Sequence, residues 1–178
     1  TLYDLLGRPT SVSQDSEHGL LTTTTEYLSG FRQRVTNPRG HATTITYQAF
    51  DQPDTGAPVL IEAPAGQTTA IARTVRGEPI SLTRSGTWSG GSQSLTRSYV
   101  YDAHRRLCKT LEPETGATVM GYDAASNLTW TAAGLALPGT SDASCGPDRT
   151  AAYSSGRRVD RTYDARHRLT TLAFPDGN

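Results

Sequence analysis

A short motif that recurs along the chain constrains its fold more than any other feature of the sequence. The motif is a Tyr-Asp pair followed by two variable residues, a turn residue, a basic or polar residue and usually a leucine. It is almost complete at the first of four clear copies, which are "YDLLGRP" (3–9), "YDAHRRL" (101–107), "YDAASNL" (122–128) and "YDARHRL" (163–169). Such recurrence is typical of repeat proteins, in which each copy forms one structural unit.

Weaker copies extend the repeat along the rest of the chain. Two copies keep the tyrosine without the aspartate, and one keeps only the glycine and an apolar residue at the last motif position. They are "YLSGFRQ" (27–33), "YQAFDQP" (47–53) and "RTVRGEP" (73–79). Successive copies start roughly 20 to 28 residues apart, except for about 41 residues between Tyr122 and Tyr163. We predict a loop insertion at 134–149, because "GLALPGTSDASCGPDR" lacks alternation and is rich in turn residues. Residues 1–178 are predicted to form one repeat segment of about seven units, truncated at both ends.

Each unit is predicted to contain two strands and two turns. "RSYVYD" (97–102) alternates polar with aromatic or branched residues, and "RLCKTLEP" (106–113) alternates leucine with polar residues before a proline. Turns of the Pro-Gly type separate the units at 37–41, 63–67, 112–117 and 174–178. No stretch has convincing helical periodicity, and the ambiguous "TTAIARTV" (68–75) is interpreted as a strand. The predicted fold class is all-β, built from tandem antiparallel β-hairpins.

The residue types of the motif suit a hairpin turn. The carboxylate of Asp102 can accept hydrogen bonds from the backbone N–H groups of the turn that follows it. Gly7 stands where the returning chain favours a left-handed conformation, but its equivalents include Arg105 and His167, which predicts that not every unit needs one. An arginine such as Arg106 can pair with the aspartate of its own unit or of a stacked unit.

The remaining motif positions are predicted to pack. The leucines should begin the return strand and point inward, and the tyrosines should stack unit on unit. A catalytic aspartate would be needed only once, so its recurrence favours a structural role. The predicted structural motif comprises Tyr3, Asp4, Gly7, Arg8, Tyr101, Asp102, Arg106, Leu107, Tyr122, Asp123, Leu128, Tyr163, Asp164, Arg168 and Leu169.

These strings resemble the YD repeats of RHS-repeat proteins. That family includes bacterial polymorphic toxins, insecticidal toxin-complex subunits, wall-associated proteins and animal teneurins. The resemblance spans essentially the whole chain and is strongest at 1–12, 97–130 and 158–178. It implies a β-sheet ribbon that curves and coils into a hollow shell, which in the toxin members encloses a C-terminal toxic domain until delivery. The family's DPxG-type self-cleavage motif is absent, because "GPDR" and "FPDG" have a different residue order.

The resemblance implies a non-enzymatic wall segment whose partners are the rest of the same shell and an enclosed toxin domain. It implies a location outside the cell or at its surface, or in the cytoplasm before delivery by a secretion system. The alternative is a cell-surface adhesion or carbohydrate-binding repeat array, for which Trp88 and Trp130 are the residue type that stacks on sugar rings. Packing between strands is the competing interpretation of both tryptophans.

Composition and motifs favour no other chemistry. The 17 basic and 17 acidic residues cancel, which leaves no basic surface for nucleic acid, and no apolar run approaches the roughly 20 residues of a membrane span. "GTWSGG" (86–91) lacks the Lys-Ser/Thr of a phosphate-binding loop, and "NLT" (127–129) is interpreted as a chance glycosylation sequon inside the motif. No Gly-x-Ser-x-Gly elbow occurs that would indicate a hydrolase triad. Neither an enzyme activity nor a cofactor is predicted.

The histidines and cysteines do not indicate a metal site. His104 and Cys108 have a ligand-like spacing, but a zinc site needs three or four convergent groups and no second cysteine pair is present. The other histidines are His18, His41 and His167. Cys108 and Cys145 form either one disulfide or two free thiols, and the sequence leaves both open.

Overall fold

The computed structural model describes residues 1–17, 19–49, 53–137 and 145–176. It contains fourteen β-strands in one antiparallel sheet, in which each strand lies beside the strands before and after it in the chain. The strands are β1 (Leu2–Tyr3), β2 (Pro9–Ser16), β3 (Gly19–Leu28), β4 (Arg32–Thr36), β5 (Ala42–Ala49), β6 (Pro53–Ala63), β7 (Gln67–Arg73), β8 (Pro79–Trp88), β9 (Gly91–Tyr101), β10 (Leu107–Glu112), β11 (Gly116–Tyr122), β12 (Leu128–Leu135), β13 (Arg158–Tyr163) and β14 (Leu169–Ala173). A 3₁₀ turn (Pro64–Gly66) and one helix, α1 (Gly146–Tyr153), complete the described structure.

The predicted all-β fold of tandem antiparallel hairpins is confirmed. Alternating polar and apolar residues favour half-buried strands, and short turns bring each strand back beside its predecessor. The ambiguous stretch 68–75 is a strand over most of its length, because β7 ends at Arg73. The last turn signal, at 174–178, lies within the described residues only as far as Asp176.

The chain divides into two compact units, residues 1–95 and 96–178, with β9 running across the boundary. In the first unit none of the described residues is buried. Its strands are rich in threonine and serine, as in "GLLTTTTEYL" of β3. Backbone pairing and side chains that pack on partly exposed faces therefore hold this unit, rather than a central apolar core.

The second unit contains a compact apolar core under α1. The helix packs against β11 and β12, and the buried cluster is Ala117, Val119, Trp130, Ala132, Leu135 and Ala152. On β11 every second residue is buried, which places Ala117 and Val119 on the face that α1 covers. Trp130 meets Tyr153 at the end of the helix edge-to-face, with ring centroids 5.5 Å apart.

Helix α1 corrects two expectations for the segment 134–149. The chain was expected to contain no helix and to form a loop here, but β12 continues to Leu135 and α1 begins at Gly146. Residues 138–144 of the predicted loop lie outside the described residues. The helix escapes detection because it is only eight residues long and, among its side chains whose burial is described, Ala152 alone is buried, so it shows no apolar period. Its first turn does carry a proline and Asp148, which are typical of a helix start.

Two further contacts fasten α1 to the sheet. Cys108 on β10 and Cys145 at the start of α1 form a disulfide, with their Cα atoms 5.9 Å apart. The neighbouring Lys109, whose side chain has 0% exposure, forms an ion pair with Asp148. Two consecutive residues reach the same helix because Cys108 is an extra residue in the pairing of β10 with β9, and such a bulge interrupts the alternation of a strand.

Candidate functional site

Six loops in the described part of the chain share one five-residue geometry. A side-chain oxygen of the first residue accepts hydrogen bonds from the backbone N–H groups of the third and fifth residues. In the loop that starts at Asp102, its Oδ1 accepts from the N–H groups of His104 and Arg106, both at 2.9 Å. We call these segments the capped loops; they are 4–8, 37–41, 74–78, 102–106, 123–127 and 164–168.

Two backbone hydrogen bonds close each capped loop, and its fourth residue takes a left-handed conformation. The N–H of Asp102 donates to the carbonyl of Arg106 at 2.9 Å, and the N–H of Arg105 donates to the carbonyl of Asp102 at 2.8 Å. The φ angle is +74° at Gly7 but also +64° at Arg105, +66° at Ser126 and +59° at His167. The expectation that not every copy needs this conformation is therefore not met at these three non-glycine positions. The hydrogen bonds of the loop offset a local cost of roughly 1–2 kcal/mol for a side chain in this region.

Two capped loops lack the Tyr-Asp pair: 74–78 lies in the weak copy at 73–79, whereas 37–41 was predicted as a turn between units and not as a copy of the motif. Asn37 accepts from the N–H groups of Arg39 and His41 at 3.0 Å, and Thr74 replaces the carboxylate with its hydroxyl. The missed signal at 37–41 is an asparagine followed three residues later by a glycine, Gly40; at 74–78 the missed signal is the capping hydroxyl of Thr74, three residues before Gly77. Asn and Thr side chains provide the same kind of acceptor as Asp.

The weaker copies that begin with tyrosine behave differently. After Tyr27 the chain forms a short hairpin in which Leu28 pairs with Arg32, rather than a capped loop. Residues 50–52 of the copy at 47–53 lie outside the described residues.

The fifth residue of a capped loop binds the first. Arg106 donates from Nε at 2.8 Å and from Nη2 at 2.7 Å to the Oδ2 atom of Asp102. Arg8 and Arg168 bind their own aspartates at the same distances. The sequence left open whether each arginine contacts the aspartate of its own unit or of a stacked unit. In the structure each of these arginines binds the aspartate of its own loop. In the loop 123–127 the side-chain amide of Asn127 donates to Oδ2 of Asp123 at 2.8 Å instead.

A tyrosine from the next hairpin joins three of the capped loops to the following strand. The hydroxyl of Tyr122 donates to the carbonyl of Leu107, the residue directly after the loop, at 2.7 Å. Tyr163 donates in the same way to Leu128 at 2.9 Å, and Tyr27 donates to Pro9 at 3.1 Å. We call this arrangement the tyrosine contact.

An arginine completes two of the tyrosine contacts. The guanidinium carbon of Arg106 lies 4.7 Å from the ring centroid of Tyr122, and that of Arg8 lies 4.0 Å from that of Tyr27. These are cation–π distances, at which an exposed pair contributes about 0.5–1 kcal/mol. One arginine therefore links the aspartate of its own loop to the tyrosine of the next hairpin.

The strand that leaves a capped loop carries an extra residue in five of the six cases. The pairing shifts by one residue directly after the loops 4–8, 74–78, 102–106, 123–127 and 164–168. Such bulges bend a strand and re-aim its side chains. Of the leucines that were expected to point inward, Leu107 and Leu128 are half-buried. Leu169 is 53% exposed, because β14 has no strand beyond it in the described sheet.

Hydrogen bonding lowers the pKa of all four motif aspartates. For Asp4 and Asp164 the main cause is the backbone N–H of the fifth loop residue, followed by its guanidinium. The amide of Asn127 has the largest effect on the pKa of Asp123. Burial opposes the shift at Asp102, but the hydrogen bonds from Arg106 and His104 outweigh it, so its pKa is lowered as well. These carboxylates therefore act at neutral pH as ionised acceptors for their own loops.

The other residues singled out in the sequence have ordinary surroundings. His104 occupies the third loop position, and Nδ1 of His167 lies 3.2 Å from Oδ1 of Asn127, the sequon residue. His18 lies outside the described residues. Among the residues that the structure does describe, no three His, Cys, Asp or Glu side chains converge as metal ligands, and no helix is long and apolar enough to cross a membrane.

The two tryptophans have opposite environments. Trp130 is buried under α1, whereas Trp88 is 57% exposed at the tip of the β8–β9 hairpin. Beside Trp88 lies a groove of about 650 Å³, whose lining includes the polar side chains of Gln67, Arg84 and Gln93. Only Trp88 is therefore placed to meet a ligand.

Comparison with known proteins reveals similarity at the level of structure. No protein-family model matches the sequence, and no curated protein matches it either. The crystal structure of TcdB2-TccC3-TEV is similar with a TM-score of 0.61 and 14% identity, over 98% of this chain and 9% of that chain. The crystal structures of TcdB2-TccC3 and TcdB2-TccC3-Cdc42 are similar with TM-scores of 0.55 and 0.53, each at 14% identity.

Those two alignments cover 99% and 100% of this chain and 10% and 11% of the other chains. The chain thus spans about a tenth of the length of the structures it resembles. At this identity the similarity shows a shared fold alone.

Proposed function

We propose that this chain is a structural segment in the wall of an RHS-type β-shell that encloses a toxin or partner domain for delivery. The observation that carries the proposal is the tyrosine contact, which recurs between successive hairpins. A sheet in which the same side-chain contacts recur between hairpins, here at three of the six capped loops, can extend by adding further units, as a wall requires.

The chemistry of the repeated residues supports a structural role. Each motif aspartate directs its oxygens at the N–H groups of its own loop and, in three loops, at an arginine. A carboxylate held in this way has a lowered pKa and no proton to donate at neutral pH, which does not suit a general acid. We therefore propose no catalytic step for these residues.

Limited proteolysis of the natural polypeptide that contains this segment would test enclosure. We expect a partner domain within the shell to resist protease, and to be cleaved much faster when Tyr122→Ala and Tyr163→Ala together remove two tyrosine contacts. Tyr153→Ala is the matched control, because Tyr153 packs on Trp130 under α1 and makes no tyrosine contact. Equal cleavage of the partner domain in all three proteins would contradict the proposal.

A second candidate function, glycan binding at a cell surface, is favoured by Trp88 and its groove. An exposed indole offers a face for a sugar ring, and the amide and guanidinium groups of Gln67, Gln93 and Arg84 can bond to sugar hydroxyls. Gly90 leaves room for the ring, since a Cβ atom there would lie 2.6 Å from the indole nitrogen of Trp88.

Titration with a panel of neutral and acidic oligosaccharides tests this candidate through tryptophan fluorescence. Saturable binding that disappears in Trp88→Ala, but persists when buried Trp130 is replaced by Phe, would favour glycan binding. Absence of saturable binding across the panel would leave the wall segment as the single proposal.

A further inference from the structure

Helix α1 is attached to the sheet at both of its ends. At its start, Cys145 is bonded to Cys108 on β10. At its end, Tyr153 packs edge-to-face on Trp130, and the chain enters β13 shortly afterwards, at Arg158. Because an eight-residue helix is too short to be stable alone, its position depends on these attachments. The covalent attachment is the one that a chemical reaction can remove.

The non-covalent attachments of α1 are weak by comparison. Among its side chains whose burial is described, Ala152 alone is buried. Asp148 forms an ion pair with the fully buried Lys109, and in such a pair the cost of removing both charges from water largely cancels their attraction. The guanidinium carbon of Arg149 lies 5.8 Å from the ring centroid of Trp130, at the outer limit of a cation–π contact. The disulfide therefore decides how firmly the helix is held.

The two sulfur atoms of the bridge differ in their surroundings. Cys108 is buried, with 2% exposure, whereas Cys145 is only half-buried. An incoming thiolate therefore has access to the sulfur of Cys145 rather than to that of Cys108. Sγ of Cys108 lies 3.3 Å from the carbonyl oxygen of Val100, so a thiol formed there has a hydrogen-bond acceptor in place. The site can thus hold Cys108 in its reduced form as well as in the bridge.

We propose that the Cys108–Cys145 disulfide is a redox switch, which holds α1 on the sheet when oxidised and releases it when reduced. A thiolate of the reductant attacks Sγ of Cys145, the S–S bond breaks, and Cys108 leaves as a thiolate that takes up a proton from water. A second thiol of the reductant then displaces Cys145, which also leaves as a thiol. The reductant is a dithiol or a pair of small thiols; it supplies the two electrons and ends as a disulfide. The proposal does not depend on whether the chain encloses a domain.

Release of α1 uncovers an apolar face on β11 and β12. The cluster under the helix includes Val119, Trp130 and Ala132, and both Val119 and Ala132 have 0% exposure while α1 is in place. Lys109, which is also fully buried, regains water around its ammonium group when the helix leaves. Surroundings rich in thiols, such as a cytosol, therefore expose an apolar surface that oxidising surroundings keep covered.

Hydrogen exchange of the full chain tests the switch, with mass spectrometry of its peptides before and after treatment with dithiothreitol. A thiol assay establishes that both cysteines have been reduced. The bridge joins residues 37 positions apart, for which the entropy of loop closure corresponds to up to roughly a thousandfold. We therefore expect the amides of α1 to exchange at least about tenfold faster after reduction. Strands β3 and β4, in the first unit, should exchange equally in both states, and reoxidation should restore the protection of α1.

The double variant Cys108→Ser with Cys145→Ser is the matched control. Its α1 should exchange fast without any reductant, and dithiothreitol should change nothing further. Trp130 gives a second readout in a Trp88→Phe background, because reduction should shift its emission to the red and expose its indole to the quencher acrylamide.

Three results would overturn the proposal. The first is unchanged exchange of α1 after both thiols have been titrated, and the second is a serine variant in which α1 stays protected. The third is an equal acceleration in β10, β11 and β12, since the second unit would then unfold as a whole rather than release its helix.

Discussion

Arg106 connects two hairpins because it binds Asp102 in its own loop while its guanidinium lies 4.7 Å from the ring centroid of Tyr122. Its Nη1 also donates to the carbonyl of Asp123 at 3.0 Å, at the start of the next capped loop. A single side chain therefore contacts the first residue of two successive capped loops. This relationship explains how a motif of local turn residues acquires a role in the packing of neighbouring units.

Removing one tyrosine hydroxyl should weaken the joint between two units. Tyr122→Phe keeps the ring under Arg106 but leaves the carbonyl of Leu107 without its donor. We expect unfolding in urea to require about 1 kcal/mol less free energy, which is the usual contribution of one hydrogen bond. Tyr153→Phe serves as the control, since Tyr153 contributes through its ring. Equal losses in the two variants would contradict the importance of the hydroxyl contact.

The left-handed fourth position of the capped loops should make Gly7 sensitive to substitution. A Cβ atom at Gly7 meets nothing within 4 Å, so Gly7→Ala tests the backbone conformation alone. We expect a destabilisation of about 1 kcal/mol, measured by thermal and urea unfolding. At Gly86 the φ angle is not left-handed and the nearest atom to a Cβ would be 3.7 Å away, so Gly86→Ala should be nearly neutral. A neutral Gly7→Ala would argue against this requirement.

Acid should loosen the capped loops before it affects the rest of the sheet. The pKa of each motif aspartate is lower in the folded chain than in the unfolded chain, because the loop N–H groups and the side chain of the fifth loop residue stabilise the ionised form. A lowered pKa contributes stability that is present above the unfolded value of about 3.9 and is lost as pH falls through the folded value.

We therefore expect the free energy of unfolding of the wild type to decrease as the pH falls from about 5 towards 2. In the Asp102→Asn variant the same fall in pH should lower the free energy of unfolding by less. The asparagine keeps an acceptor for the loop N–H groups, as Asn37 does, but does not titrate. Urea unfolding at several pH values measures this dependence. Asp15→Asn, in strand β2 outside the capped loops, should keep the wild-type profile; a wild-type profile in Asp102→Asn would refute the assignment.

The disulfide should stabilise the second unit by restricting the unfolded chain. The bonded residues are 37 positions apart in the sequence, for which loop-closure entropy gives about 4 kcal/mol. We expect reduction, or replacement of Cys108 and Cys145 by serine, to lower the urea midpoint of the transition that Trp130 reports by fluorescence. A Trp88→Phe background isolates that signal. Detection of two free thiols in the native chain under non-reducing conditions would contradict the bridge.

The hairpin pattern was predictable from the sequence because its causes are local. Alternation sets the faces of β10 and β11, and the Asp at position 102 or 123 caps a loop with N–H groups two and four residues away. The same local chemistry was overlooked at Asn37, which no tyrosine precedes, and the copy at 73–79 was recognised by its glycine but not by the capping hydroxyl of Thr74. The left-handed conformation of Arg105 and His167 was wrongly doubted, because propensity alone disfavours it and the loop hydrogen bonds that offset the cost were not weighed.

Contacts between distant residues could not be predicted in the same way. Nothing in the local sequence pairs Tyr163 with the carbonyl of Leu128, 35 residues earlier, and 39 residues separate Lys109 from its partner Asp148. Helix α1 is likewise stabilised by its position on β11 and β12, where it covers apolar side chains, more than by its own eight residues.

The sequence alone determined that this chain forms repeated antiparallel hairpins closed by side-chain caps, because strands and tight turns depend on residues only a few positions apart. Only the tertiary structure decided which tyrosine meets which loop, where α1 lies and which of the two tryptophans is exposed. Those features depend on strand register and on the bulges that follow the loops, and a shift of one residue in register moves every side chain to the opposite face of the sheet.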